Sequence, residues 1–544
     1  MAQSESALTT AKPRRRHELD LLRGVVVLAL IPFHTATYFI RGDWAPLHYS
    51  PNSVVVMLIY FSSLVAMPLM FFIAGMGINY SLRKRTIGDF VGNRLQRLFI
   101  PLALGHLLLL PLIQFYTFRF SPLFDETFAQ FYPTFFNVTL KIAFPPFLEG
   151  PRYAAHHLWF IKDLLVYTLV LLPLFLWLRS ASGRRVIEWL TGMCARPWTI
   201  FFLALPLAGI EAALGAKGDW NRFSYILLLL YGYLLVADPR FGGAFRRIWK
   251  AGLLLGLLLF FTVGVAGINY FTQAGIDFQT DPGLLSVLIR LLKGLVGWSL
   301  IIGFMGLGES IGSARAQEGS ANQQVQEAPA TDRRPTLVER AAQYLSRATL
   351  PIYTVHLIFV IVIGFYVGHW TSNVAIRFLV ITIVSMLGTL ALYDIVRRTR
   401  WTRFLFGMRV YDARITTLDA GRRGVGGWVR ANLPHLALWA TAALLTVLVV
   451  IAANNASLVG RWEQTLDTIQ PATGYIAEFR EDGTWTVIAE GESIDGSYEL
   501  IGDEQIEITY PDGTTTVAEY HIAYDRFGLI SSEIDRQQVF MRIP

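Results

Sequence analysis

The chain has 544 residues, 53% of them hydrophobic and 13% aromatic, with a mean hydropathy of +0.43; this composition excludes a soluble enzyme and describes an integral membrane protein. The net charge of +7 is a difference between unlike parts: residues 458–544 hold five Arg, no Lys and 17 acidic residues, a balance of −12, so the remainder carries +19. The single cysteine, Cys194, excludes an intrachain disulfide framework and a multi-cysteine metal site, and the Lys and Arg of the basic part alternate with apolar runs, which marks topology and not a nucleic-acid footprint.

A polar, basic N-terminus (residues 1–19, with KPRRRH) leads into the first apolar run. That run lacks a small-residue cleavage site and is read as a retained helix rather than a removed signal peptide. About eleven apolar runs follow one another, near 20–40, 53–80, 98–116, 157–178, 198–214, 223–237, 251–271, 284–308, 349–367, 374–395 and 434–453. Each is about long enough to cross a hydrocarbon core of roughly 30 Å. With the N-terminus cytoplasmic, every second connection is basic: Arg83, Lys84, Arg85, Arg94 and Arg97; then Arg179, Arg184, Arg185 and Arg196; then Arg240, Arg246, Arg247 and Lys250; then 309–347 and 397–430. The alternate connections are poor in Lys and Arg, as the positive-inside rule requires. An odd number of spans puts the C-terminus outside. The expectation is a multi-pass protein of the cell (plasma or inner) membrane, with residues 20–397 as its membrane domain, 398–433 as a cytoplasmic basic linker and 434–453 as an additional span.

Residues 313–335, rich in Ala, Gln, Glu, Ser and Pro, are expected to be poorly ordered because they bury too little apolar surface. Residues 412–430, with GRRGVGG, read as a flexible basic linker that can lie along anionic headgroups. After Asn454 the pattern changes to short β-type runs separated by EDG, IDG, IGDE and PDG. About eight antiparallel strands in residues 458–544 imply a small up-and-down barrel or sandwich. The fold class is thus a polytopic α-helical membrane protein of about eleven transmembrane helices with a small C-terminal all-β domain outside the membrane.

Arg23 and His34 lie eleven residues apart in LLRGVVVLALIPFHT, with only apolar residues and Gly24 between them. Eleven steps of roughly 100° return to nearly the same helix face, about 16 Å along the axis. One face of a membrane helix then carries a guanidinium near one surface and an imidazole about half-way through the lipid. Ionisable groups at such depth usually face a polar cavity. Pro32, just before His34, removes a backbone donor and can bend the helix there.

The segment RHELDLLRGVVVLALIPFHT strongly resembles the first helix of the acyltransferase 3 superfamily of membrane acyltransferases, with Leu19, Asp20 and Arg23 as its lead-in and His34 closing the motif. MPLMFFIAGMGINYSLRKR resembles the second span of that family, and FVGNRLQRLFIPL carries its Arg-x-x-Arg motif as Arg94 and Arg97, followed by Pro101. HHLWFIKDLLVYTLVLLPL and LPIYTVHLIFVI resemble two later segments. The likeness covers about residues 15–397 and is closest to the branch containing the glucan biosynthesis protein C. It implies transfer of an acyl group, acetyl, succinyl or similar, from cytoplasmic acyl-CoA to a hydroxyl of an extracytoplasmic glycan or glycolipid. Acyl-CoA is then a donor substrate; no permanently bound cofactor, no metal and no nucleic acid are expected.

Under that resemblance Arg23, Arg94 and Arg97 are candidates for the CoA phosphates, which guanidiniums bind well; Arg94 and Arg97 by themselves also read as topology-setting charge. His34 is either a general base toward the acceptor hydroxyl or a nucleophile that holds the acyl group. Asp20, His157, Trp159, Tyr353 and His356 are candidate substrate-lining residues, with Tyr353 and His356 at i and i+3 on one helix face. An interfacial aromatic belt equally accounts for Trp159. No metal-ligand spacing or P-loop is present, and the GESIG at 308–312 follows an apolar membrane run and not a strand, so it is no G-x-S-x-G elbow. In the β domain, Gly460 and Trp462 resemble the Gly-x-Trp start of a lipocalin-type first strand, where the Trp plugs one barrel end. Two rivals stay open: a transporter or flippase, which would favour paired intramembrane carboxylates where this chain has scattered ones such as Glu211, and a membrane-anchored binding protein acting through the β domain.

Overall fold

A computed structural model describes residues 17–37, 39, 53–121, 124, 126–193, 196–216, 220–325, 337–368, 373–408, 425–453, 458, 460–467, 475–489, 492–501, 505–523, 526–531 and 536–543. The helices are α1 (His17–Thr37), α2 (Ser53–Leu82), α3 (Ile87–Phe118), α4 (Phe128–Phe135), α5 (His156–Val170), α6 (Leu172–Leu178), α7 (Ala181–Met193), α8 (Pro197–Leu214), α9 (Arg222–Leu235), α10 (Pro239–Phe271), α11 (Leu284–Val325), α12 (Leu337–Gly368), α13 (Val374–Val396), α14 (Arg400–Leu405) and α15 (Val425–Ala453). A hairpin of β1 (Thr139–Lys141) and β2 (Phe147–Glu149) lies between α4 and α5, and β3 to β10 fill the C-terminal part. Among the described residues eight helices are long and apolar enough to cross a membrane, and α5 with α6 makes a ninth, bent by 51°. Pro173, at the start of α6, removes a helix donor at that bend. Residues Arg222–Leu235 and His435–Val449 are shorter apolar helices.

The chain divides into two compact units. The first takes Met1–Ala29, Asn52–Ile100 and Trp159–Pro351. In it α2 packs along α9, and α10 along α11. Small residues permit the closest approaches: a Cβ on Gly75 would fall 1.9 Å from the Leu229 carbonyl oxygen, and one on Gly232 would fall 1.8 Å from that of Phe72. Lipid tails offer helices no hydrophobic gain from pairing, so backbone-to-backbone packing of this kind is what membrane helices use. Rings fill the remaining space, with Phe71, Phe72, Tyr225, Tyr233 and Trp298 fully buried. Two of the polar tips end on carbonyls: Tyr233 Oη donates to Phe175 O at 3.1 Å and Trp298 Nε1 to Ile200 O at 2.9 Å. Buried Glu211 on α8 is paired with Lys293 on α11 at 2.8 Å and also accepts from Ser224 Oγ at 2.5 Å.

The second unit takes Leu30–Pro51, Pro101–Leu158 and Ile352–Pro544. Here α15 packs on α13. The carboxylate of Asp394 on α13 meets Arg397, Arg398 at 2.9 Å and His435 of α15 at 3.2 Å, and Arg398 lies over the Trp439 ring at 4.5 Å. Further along the chain, eight antiparallel strands close into a barrel in the order β10-β3-β4-β5-β6-β7-β8-β9. They are β3 (Gly460–Asp467), β4 (Ile476–Phe479), β5 (Thr484–Ala489), β6 (Glu492–Ile501), β7 (Gln505–Thr509), β8 (Thr515–Ala523), β9 (Arg526–Ser531) and β10 (Arg536–Ile543). Inward-facing Trp462, Phe479, Trp485, Ile506, Phe527 and Phe540 fill its centre. Trp462 is fully buried and donates its indole N–H to Leu458 O at 2.8 Å.

Several expectations shift. The third span begins at Ile87 rather than near 98, so Arg94 and Arg97 lie inside α3; helix continues where hydropathy has already fallen. Segment 179–196, expected only as a basic connection, contains the amphipathic α7 with Trp189 exposed. Residues 313–325 of the stretch expected to be poorly ordered prolong α11, and 326–336 lie outside the described residues. Most of the 412–430 linker lies outside them too, and its last residues open α15.

In the barrel, EDG and PDG are turns with Gly483 and Gly513 at φ 79° and 84°, while part of IGDE falls outside the described residues. IDG, expected as a turn, is inside β6. Gly496 stands opposite Trp485, and a Cβ there would lie 2.6 Å from the indole nitrogen. The glycine makes room for the ring on the neighbouring strand and does not turn the chain.

Gly75→Ala and Gly232→Ala are each expected to lower stability by about 1–3 kcal/mol through overpacking. Gly77→Ala on the same helix, whose Cβ would meet nothing within 4 Å, is expected to leave it unchanged or slightly raised. Thermal unfolding in detergent, followed by tryptophan fluorescence, checks the contrast.

Candidate functional site

Three imidazoles meet in the second unit. His34 comes from the C-terminal half of α1, His157 from the first turn of α5, and His356 from α12. The ring centroids of His34 and His356 are 5.2 Å apart, and those of His157 and His356 are 5.0 Å apart. Tyr353 completes the group, 5.5 Å from His157 and 5.8 Å from His356, as the i, i+3 spacing anticipates. Four residues from three distant stretches of chain are thereby brought together.

Backbone carbonyls fix the protons on two of these rings. A carbonyl oxygen only accepts, so the ring nitrogen beside it must be N–H. His356 Nδ1 lies 2.7 Å from Tyr353 O and 3.2 Å from Ile352 O, so it is the donor and Nε2 keeps its lone pair. His157 Nε2 lies 3.0 Å from Thr354 O, so Nδ1 keeps the lone pair. In return Tyr353 Oη donates to the carbonyl of His157. The first turn of α5 and the 353–354 turn of α12 are clamped by this exchange. His34 Nδ1, His157 Nδ1 and His356 Nε2 are all buried with no hydrogen-bond partner among the described residues. Neutral imidazoles with unspent lone pairs suit a base or nucleophile. Among the described residues no group of three or more His, Cys, Asp or Glu side chains has an arrangement that could hold a metal ion.

His156, beside His157, was not anticipated. It adopts a left-handed backbone at φ 40°, an uncommon state for a residue with a Cβ, and its Nε2 lies 2.6 Å from Gln114 Oε1 on α3. The doubled HH in HHLWF was the available signal. Upstream, Arg152 grips Glu126 with two hydrogen bonds of 2.5 and 2.6 Å and reaches Thr134 Oγ1 at 3.0 Å. Burial pushes the Tyr153 hydroxyl up to about 12, so it stays protonated and donates to His106 Nε2 at 2.9 Å; His106 Nδ1 in turn donates to Leu102 O at 2.8 Å. The loop leading into the histidine turn is thus anchored to α3.

The other predicted residues lie in the first unit. Arg23 is half-buried on the N-terminal half of α1, with Asp20 as the acidic partner in its field. Gly24 beside it sits tight against Leu345 of α12. Arg94 lies over the Phe90 ring at 5.0 Å, and its Nε is buried without a hydrogen-bond partner. Three like charges act on it: Arg97, Arg23 and Arg85. Arg97 occupies a π-helical stretch, Leu95–Phe99, a form that often accompanies function. Arg85, held by Asn93 Oδ1 at 2.8 Å and Ser81 Oγ at 3.2 Å, is a fourth guanidinium that spacing alone did not single out. Guanidiniums gathered like this repel one another and favour a bound polyanion.

Trp159 carries the Arg222 guanidinium on its face at 4.6 Å. Arg222 is paired with buried Asp163 at 2.5 Å, and Lys162 meets the other carboxylate oxygen at 2.9 Å. Neither Arg222 nor Asp163 was singled out from the sequence, because their pairing joins positions 59 residues apart.

Comparison with known proteins gives one match: the acyltransferase domain of the acyltransferase 3 family, over residues 16–394. No curated protein and no solved structure matches.

The Glu126 carboxyl is held below its ordinary value of 4.5, first by the hydrogen bonds from Arg152 and then by its charge. A depressed carboxyl contributes stability above its unfolded value and loses it as pH falls through the folded one. Intrinsic-rate-corrected hydrogen-exchange protection of residues 126–153 is therefore expected to be flat from about pH 8 to about pH 5 and to fall below about pH 4. Glu126→Gln should show weaker protection at neutral pH and no acid-side drop.

Proposed function

The chain belongs to the acyltransferase 3 family and is a membrane acyltransferase, and from that premise we propose that it moves an acyl group from cytoplasmic acyl-CoA to a hydroxyl of an extracytoplasmic glycan or glycolipid. The observation that carries this reading is the contact of His34, His157 and His356, each with a buried ring nitrogen that has no hydrogen-bond partner among the described residues. Arg23, Arg85, Arg94 and Arg97 supply the complementary feature, a concentration of positive charge suited to the phosphates of CoA. Arg23 and His34 both belong to helix α1, eleven residues apart in the sequence.

In the direct route, the acceptor hydroxyl attacks the thioester carbonyl while His34 removes its proton. The new C–O bond forms, the C–S bond breaks, and the proton passes from the imidazole to the departing thiolate, which leaves as CoA thiol. In the two-step route His34 first takes the acyl group itself, releasing the thiol, and the acceptor hydroxyl then displaces it. His356, its ring 5.2 Å from that of His34 and its Nε2 carrying the lone pair, serves either route as the neighbouring proton acceptor. Trapping an acyl-enzyme after mixing with labelled acyl-CoA in the absence of acceptor separates the two.

A glycan or glycolipid is the preferred acceptor because the IPFH, PLMFFIAG and HLWF wording resembles the glucan biosynthesis protein C branch. The acidic β barrel is given a spacer or binding role: its centre is filled with aromatic side chains, Trp462 among them. A transporter would favour intramembrane carboxylates available to a cargo, whereas Glu211 and Asp163 are each already paired with cations.

Acyl transfer from labelled acyl-CoA, measured in proteoliposomes, tests the assignment. His34→Ala is expected to lower kcat by about 10²- to 10⁴-fold. Arg94→Gln should raise the KM for acyl-CoA by about tenfold or more, the loss of a charged hydrogen bond. His356→Gln should lower kcat while leaving that KM unchanged. Undiminished transfer by folded His34→Ala protein overturns the reading, and mass spectrometry of surface glycans and lipids with and without the protein identifies the acceptor.

A further inference from the structure

The segment between α3 and α5 presents apolar side chains where a water-exposed loop would not. It leaves α3 at Phe118 and returns at His156; with α3 and α5 read as successive spans, both its ends fall on the side that the Lys and Arg pattern assigns away from the basic connections. Ile142 is 97% exposed, Leu140 64%, and Phe144 and Phe147 43% each. They cluster at the tip and along the arms of the β1–β2 hairpin. The hairpin's two charged side chains, Lys141 and Glu149, lie in its arms and pair with each other at 3.0 Å. The tip itself, Ile142–Ala143–Phe144–Pro145–Pro146, is uncharged.

The hairpin is held in place from below. A Cβ on Gly150 would fall 2.4 Å from Asn137 O, so the two arms leave side by side. Arg152 fastens their base to Glu126 and Thr134. The helix α4 is capped by Thr127 and Gln130 in a reciprocal pair and turns Phe131 and Phe135 inward.

Depth comes from a separate observation. Tyr132 Oη of α4 donates to the Leu107 carbonyl at 3.0 Å, and Leu107 lies eleven residues before the end of α3, about 16 Å along its axis. Leu107 and Leu108 are themselves 53% and 56% exposed, part of the face that α3 turns to lipid. The α4 segment therefore folds back along a lipid-facing stretch of α3 instead of standing away from the membrane.

We propose that residues 127–149 form a re-entrant, membrane-dipping element whose partner is the outer leaflet of the bilayer itself, with Ile142, Phe144 and Phe147 entering the boundary between headgroups and acyl chains. The insertion of the hairpin is shallow. A two-stranded ribbon has unpaired backbone groups on both edges, and these need water or headgroups; the side chains enter, and the backbone stays in the interfacial layer. Since 150–157 runs directly from this element to His156 and His157, the element seats the histidine turn at a set level relative to the leaflet.

The test uses the full chain in a Cys194→Ser background with single Ile142→Cys or Phe144→Cys substitutions and Thr514→Cys in the β7–β8 turn as the aqueous reference. Each is labelled with an environment-sensitive fluorophore and reconstituted into vesicles of phosphatidylcholine with phosphatidylglycerol. The two hairpin positions are expected to emit blue-shifted light and to lose intensity to nitroxide-bearing lipids, most to shallow nitroxides, while the Thr514→Cys label does neither. Water-like emission without nitroxide quenching at both hairpin positions overturns the proposal. So does a blue shift that nitroxide lipids do not quench but that accompanies cross-linking between chains, which would make a second copy the partner. Neither readout depends on catalytic activity, so failure here leaves the acyl-transfer reading standing and the reverse also holds.

Discussion

An ionised side chain among apolar helices must be met by opposite charge and hydrogen bonds, because stripping it of water costs several kcal/mol or more. The rest of this structure is arranged around that constraint. In the first unit Glu211 is met by Lys293 and Ser224, and Asp163 by Arg222 and Lys162. In the second, Asp394 is met by Arg397, Arg398 and His435. Each set joins residues from different helices and therefore fixes which helix faces meet. The glycine contacts of α2 with α9 do the same by shape.

Beside these pairs stand two groups of another kind. The guanidiniums of Arg97, Arg23 and Arg85 act with like sign on that of Arg94, an arrangement that an anionic ligand would relieve. The imidazoles of His34, His157 and His356 solve the burial problem differently. A neutral ring carries no charge to compensate, and one carbonyl per ring is enough to hold His157 and His356 in a chosen tautomer. The cost of leaving the second nitrogen unpaired is accepted at three neighbouring positions, and uncompensated polar atoms tend to persist where function needs them.

The loop that delivers His157 belongs to the same design. Arg152, Tyr153 and Tyr132 tie it to Glu126, His106 and Leu107, and the left-handed His156 turns the chain into α5. Strain at that one residue is affordable because the neighbouring Tyr353 and Thr354 contacts hold the turn on both sides.

The membrane class, the apolar runs, the acidic β domain with its eight strands and the Arg23–His34 spacing were all legible in the sequence, because hydropathy, alternation and helical period are local properties that survive without knowledge of neighbours. EDG and PDG were read correctly as turns for the same reason. IDG was not, since the demand on Gly496 comes from Trp485 on another strand. The start of α3, the amphipathic α7 and the helical extension of α11 were missed because hydropathy marks what lipid requires and not where a helix stops. Which imidazoles meet, which nitrogen keeps its lone pair, which cation answers Glu211 or Asp163, and how far α4 folds back along α3 were decided only by tertiary structure. Those are relations between residues tens to hundreds of positions apart, set by close packing and by the pairing of buried polar groups, and no local pattern encodes them.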